Sequence, residues 1–127
     1  MEKMRAMVLS ECAKIETNPL KSTNIDKHQI ERSNEILLKI EACGVCHSQL
    51  HGIEGDWKHI GIPDTLPIVP GHEVVGEIIE IGEDVTKFKI GDRAGITPLL
   101  EACKNCQYCN EGKEYLCESS KITGETL

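Results

Sequence analysis

Four of the chain's seven cysteines fall in a single run, "CKNCQYCNEGKEYLC", from Cys103 to Cys117. The spacing is CxxCxxC, with the fourth thiol seven residues further on. A fold built on this sequence must gather four sulfurs at one point or leave them reactive. Zinc takes four ligands in a tetrahedron, and thiolates are its common structural donors. Cysteines at i, i+3 and i+6 let a loop wrap one ion, and Cys117 closes the shell. Such a site leaves no position for water, so it is structural and chemically inert. Its excess negative charge calls for backbone N–H groups, with Lys104 and Lys113 as nearby cations. An iron–sulfur cluster is the rival, since CxxCxxC also opens a ferredoxin run. That run continues xxxC-P, whereas here the fourth cysteine comes later and no proline follows. Redox-active or free thiols complete the alternatives.

Composition narrows the rest. At 127 residues the chain is one domain long, with room for one modest core. One Trp, two Tyr and one Phe leave that core to Ile, Val and Leu, which favours strands. A net charge of −7 argues against a nucleic-acid partner, because neutralising phosphates needs a basic surface. No apolar run approaches a membrane span. The start, "MEKMRAMVLSECAKIE", lacks an uninterrupted apolar stretch, so no secretory signal is expected. The expected compartment is the cytoplasm, where an odd set of seven cysteines reads as ligands or free thiols.

The pattern predicts a mainly β architecture, a small barrel or curled sheet with one short helix. "MRAMVLSE" alternates as a strand does, while the polar stretch 17–34 reads mostly as loop. "EILLKIEACG" (35–44) sets Ile36, Leu38 and Ile40 on one face of a half-buried strand. A short helix from Cys46 to about Ile53 is ended by Gly52 and Gly55. Three prolines hold 61–71 extended or turning, and several short strands with glycine turns follow to residue 96. One domain over 1–127 is expected, with a zinc lobe at 98–120. No strand followed by GxGxxG appears in these residues, so no dinucleotide (Rossmann) fold is encoded in them.

Two further clusters carry chemistry. "CGVCHSQLH" packs thiol, hydroxyl and imidazole between Cys43 and His51. On a helix Ser48 and His51 share a face, close enough for a hydroxyl-to-imidazole proton relay. A buried thiol beside two surface histidines is an equal alternative. In "PGHEVVGEIIEIGEDV", His72 is a possible metal ligand with Glu73 beside it, although such a pair alone is more often plain surface.

Taken together and in this order, the three clusters resemble the zinc-dependent medium-chain alcohol dehydrogenases, in the N-terminal part of their GroES-like catalytic domain. "GHEVVGEIIEIGEDV" meets the signature GHExxGxxxxxGxxV at Gly71, His72, Glu73, Gly76, Gly82 and Val85. The resemblance implies that Cys46 and His72 ligate a catalytic zinc, with Glu73 beside it and able to coordinate. It implies that Ser48 takes the proton of an alcohol substrate and His51 passes it on. His47 matches a basic residue near the pyrophosphate of NAD or NADP, and Trp57 a residue lining some members' substrate pockets. Cys103, Cys106, Cys109 and Cys117 match the structural zinc lobe; Cys12 and Cys43 match no ligand. The implied reaction is zinc-assisted hydride transfer between a small alcohol or aldehyde and the nicotinamide cofactor.

Two departures stand out. Family members carry Asp where this chain has Gln49, which can accept a hydrogen bond from the ligand imidazole but brings no charge, so weaker catalytic zinc binding is expected. The family's third protein ligand and its Rossmann domain lie outside these 127 residues. The chain is therefore expected to be a truncated portion, inactive alone, and self-associating through unpaired sheet edges. The alternative is a stand-alone structural zinc module of GroES-like fold, which would have no use for Ser48, His51 and Glu73 around Cys46 and His72.

Overall fold

The computed structural model describes residues 2–124. Among them the architecture is mainly β, as the composition implies. Strands β1 (Lys3–Leu9) and β2 (Leu20–Asp26) form an antiparallel pair. A three-stranded antiparallel sheet follows, β3 (Ile36–Cys43), β4 (Val74–Ile81) and β5 (Arg93–Ile96), with β4 in the middle. The third sheet pairs β6 (Leu99–Glu101) with β7 (Lys121–Ile122). Helices α1 (His47–Glu54) and α2 (Gln107–Asn110) are short, and no helix among the described residues is long and apolar enough to cross a membrane.

The polar stretch 17–34 is mostly irregular, but it holds one strand that its own pattern does not announce. β2 runs through it in unbroken register with β1, from Leu9↔Leu20 to Lys3↔Asp26. Most of β2 is exposed, so it carries no apolar alternation to read. Pairing with β1, rather than burial, makes it a strand. β3 departs from its pattern in a different way. Bulges between Leu37 and Leu38 and between Ile40 and Ala42 break the alternation, and Ile40 stands 61% exposed.

The core is small. Leu9, Ile53 and Ile68 form a buried cluster, with Cys12 and Leu20 packed against it. Each of the three comes from a different segment, so this one contact joins β1, α1 and the proline-rich stretch. Leu9 and Ile68 also exchange both backbone hydrogen bonds (2.8 and 2.9 Å). Full burial of such side chains contributes about 1.5–3 kcal/mol each. A second tie holds α1: Glu54 accepts the Ile15 N–H (2.9 Å) and the Lys14 ammonium (3.1 Å). Helix α1 is thus fixed at its C-terminal end.

The β3–β4 register sets the geometry that matters most. Cys43 pairs with Val74, and the Gly44 N–H donates to the Glu73 carbonyl (2.8 Å), one step beyond the ladder. The chain leaving β3 therefore runs beside the chain entering β4. Residues just after the one meet residues just before the other. The lobe of β6, α2 and β7 is tied back by an ion pair from Glu101 to Arg32 (3.1 Å), which also holds Glu35 (2.7 Å), while Lys121 pairs with Glu101 within the lobe (3.4 Å).

Candidate metal centres

The cysteine run folds as its spacing requires. The donor atoms of Cys103, Cys106, Cys109 and Cys117 all lie within 4.8 Å of one another. Sulfurs about 2.3 Å from one zinc ion in a tetrahedron stand about 3.8 Å apart. The Cys103 and Cys109 sulfurs are 3.9 Å apart, so the set fits that ion. Lys104 sits in the left-handed region (φ 61), turning the following backbone back over the sulfurs. The Cys106 N–H donates to Cys103 Sγ (3.3 Å), the Cys109 N–H to Cys106 Sγ (3.5 Å) and the Cys103 N–H to Cys117 Sγ (3.4 Å). These donors offset negative charge on sulfur. The Asn105 and Cys106 N–H groups hold the Cys103 thiol down to about 6. Desolvation, then hydrogen bonding with Cys106, pushes the Cys109 thiol up to about 12. Of the two lysines expected to offset the charge, Lys113 is engaged with Glu111 (2.8 Å), and Lys104 acts on Cys109 through its backbone.

The second centre forms where β3 leaves the sheet and β4 enters it. Cys46, His72 and Glu73 present one donor atom each within 4.8 Å of one another. His72 is 5% exposed, Cys46 is half-buried and Glu73 is exposed. A soft thiolate, an imidazole and a carboxylate suit zinc, and three ligands leave a position open. Cys46 is also the N-cap of α1: its side chain accepts the Gln49 N–H while Gln49 Oε1 accepts the Cys46 N–H (2.8 Å). This is a capping box with a thiol in place of the usual hydroxyl. Gln49, expected to face the ligand imidazole, thus braces Cys46 through the helix terminus. The Ser48 hydroxyl lies between two of the donors, 3.0 Å from Cys46 Sγ and 3.2 Å from His72 Nε2.

His51 points elsewhere. Its Nδ1 is 2.8 Å from Asp56 Oδ2, and its ring stacks on His47 (4.9 Å between centroids) and Trp57 (5.0 Å). Among the described residues no hydrogen bond joins it to Ser48, so the direct hand-off expected from their shared helix face is not made. Trp57 is half-buried against His51, and His47 is exposed at the first position of α1. Sequence reasoning passed over Asp56. The available signal was its place directly after Gly55, the residue that stops the helix carrying His51. Cys12 and Cys43 belong to neither of these donor sets.

The chain matches the family described as "Alcohol dehydrogenase GroES-like domain" over residues 32–125. It is 44% identical over 124 residues to an alcohol dehydrogenase of Geobacillus stearothermophilus, covering 98% of this chain and 34% of that protein. Among solved structures it is similar to the alcohol dehydrogenase of the archaeon Aeropyrum pernix (TM-score 0.83, 30% identity, covering 98% of this chain and 34% of that one). It is likewise similar to a structure described as CAD from Helicobacter pylori complexed with NADP(H) (TM-score 0.75, 33% identity, covering 94% and 33%). The chain spans about a third of the length of the curated relatives it matches.

Proposed function

The chain belongs to the alcohol dehydrogenase GroES-like domain family, and from that premise we propose that it forms the zinc-binding catalytic portion of an alcohol dehydrogenase. The reaction class is hydride exchange between a small alcohol or aldehyde and NAD or NADP. Cys46, His72 and Glu73 would hold the catalytic zinc, and Cys103, Cys106, Cys109 and Cys117 a structural one. A zinc ion at the open centre supplies Lewis acidity toward a substrate oxygen. The other tasks fall to side chains.

The observation that carries this reading is the Ser48 hydroxyl, held against both Cys46 and His72. A hydroxyl can accept one proton while donating another, so Ser48 can take a proton at Oγ without keeping it. A structural zinc centre has no use for such a group. His51, half-buried on the next turn, is the proton's exit toward solvent, with a water or ligand hydroxyl bridging the gap from Ser48. His47, exposed at the start of α1, is suited to meet cofactor phosphate, and Trp57 to wall the substrate side while packing on His51. The exposed ladder edges of these small sheets favour self-association. Reduced cysteines suit the cytoplasm.

The test is a chimera in which residues 1–124 replace the matching third of the Geobacillus stearothermophilus enzyme. Alcohol-dependent reduction of NAD or NADP should survive the exchange and fall about 100-fold or more in Ser48→Ala, as losing a proton-transfer group does. A Ser48→Ala rate within twofold of the parent chimera would refute the role of Ser48. The 127-residue polypeptide alone should not turn over, because it carries no GxGxxG unit to hold the cofactor. Steady alcohol oxidation by it would overturn that part.

A further inference from the structure

We propose that Asp56 is the positioning residue for His51, holding the ring proton on Nδ1 so that Nε2 is the nitrogen free to accept a proton. This deepens the reading of His51 as a proton exit and rests on it for its functional meaning. The geometry stands independently of that reading.

It begins with the end of α1. Gly55 adopts φ +80, and the N–H groups of Gly55 and Asp56 both return to the His51 carbonyl (3.0 Å each). This left-handed stop folds the chain back, bringing the Asp56 side chain over a ring five residues earlier. A side chain at Gly55 would be strained at that φ, and its Cβ would stand 3.0 Å from Cys12 Cβ. The reversal is therefore tied to glycine. An ionised carboxylate accepts hydrogen bonds and cannot donate them, so the 2.8 Å contact requires the proton on His51 Nδ1. The hydrogen bond from His51 is also the main reason that the Asp56 carboxyl lies below its ordinary range.

The surroundings leave that contact uncontested. Trp57 and His47 stack on the ring and restrict its rotation. Lys14 lies near enough to Asp56 to help hold it ionised, while forming its own ion pair with Glu54 (3.1 Å). His59 Nδ1 donates to the Asp56 carbonyl (3.0 Å), not to its carboxylate. A neutral imidazole protonated at Nδ1 carries its lone pair on Nε2. A general base held by a buried or neighbouring carboxylate works by this same division of labour. Without Asp56 the ring could keep its proton on either nitrogen, and the Nε2–H form cannot accept one there.

The experiment is nitrogen-15 NMR of the imidazoles in the zinc-supplied 127-residue chain, at a pH where His51 is neutral, with His51 assigned by its loss in His51→Gln. The expected spectrum shows Nδ1 protonated and Nε2 bare. Asp56→Ala should shift the population toward Nε2–H, and Asp56→Glu should keep the wild-type form. The amide spectrum reports whether each variant is folded; should Asp56→Ala unfold, the wild-type and Asp56→Glu spectra decide. An Nε2–H ring in the wild type, or a tautomer unmoved in folded Asp56→Ala, overturns the proposal. In the chimera, Asp56→Ala should slow turnover about 10-fold, the scale of losing an orienting partner. An undiminished rate in His51→Gln would instead sink the proton-exit reading, while the tautomer measurement tests Asp56 separately.

Discussion

Stripping the metal from the four-cysteine lobe is expected to unfold residues 98–122 while the β3–β4–β5 sheet stands. Little apolar burial holds this lobe: among its described residues Cys117 is buried, at 4% exposure, while Leu100, Leu116 and Tyr115 are 44%, 46% and 71% exposed. Its ion pairs are at the surface, where solvent and salt screen them and they add little. The sulfurs meanwhile oppose one another. Two thiolates at the 3.9 Å of Cys103 and Cys109 repel one another. Without a dication the four cannot ionise together, in keeping with one thiol held down to about 6 and another pushed up to about 12. Structural zinc in cysteine-rich sites contributes about 10–16 kcal/mol, which outweighs everything else that holds this lobe. Hydrogen exchange reads it directly. The Cys103, Cys106 and Cys109 amides, each bonded to a sulfur, should be protected with zinc and exchange freely after chelation. The Ile78 amide, bonded to the Asp92 carbonyl (2.8 Å) in the sheet, should keep its protection. If mass spectrometry confirms complete metal loss and the three cysteine amides stay protected, the reasoning fails.

Two further outcomes follow from single side chains. Gly44→Ala would put a Cβ 3.0 Å from Glu73 Cβ and inside the contact distance of its carboxylate, so Glu73 must swing away from Cys46 and His72. Zinc titration should show the open centre weakened about 10-fold or more and the lobe unchanged; an open centre as tight as in the parent chain would remove Glu73 from the donor set. Glu35 accepts the N–H groups of Glu31 and Arg32 and pairs with the Arg32 guanidinium, which lower its carboxyl from 4.5 to about 2. A folded-state pKa below the unfolded one stabilises above 4.5 and stops doing so as pH falls through about 2. Glu35→Gln should therefore lower Tm at neutral pH, with the gap to wild type closing across that window. A gap independent of pH would contradict this.

Much of this was legible because its determinants are local. Cysteine spacing fixes how a loop can wrap an ion, and helix α1 announces itself by its glycine stop. The signature glycines had a reason that the sequence alone hides: a Cβ at Gly76 would strike the Lys39 backbone of β3, and one at Gly82 the Ser33 carbonyl. Strand β2 was illegible because its partner, not its own pattern, makes it a strand. The bulges in β3 were hidden likewise, since they arise from register against β4. Side-chain direction was least accessible. Ser48 and His51 share a helix face, yet one turns to Cys46 and the other to Asp56, and competition among partners decides which.

The two centres also differ in what must fold first. The lobe's ligands lie in one contiguous run, so an ion can gather them with little loop-closure cost. The open centre draws Cys46 from the N-cap of α1, just past β3, and His72 with Glu73 from just before β4, two segments far apart in sequence. Their meeting depends on the Cys43↔Val74 register and the Gly44–Glu73 hydrogen bond beyond it. Because the two segments meet through that register, a slip of one residue would carry His72 and Glu73 off Cys46 while leaving every cysteine of the lobe in place. The lobe can therefore load metal whether or not the sheet is in register, whereas the open centre reports the register itself. Zinc occupancy of the two sites, followed during refolding, should fill the lobe first, and simultaneous filling would refute this order.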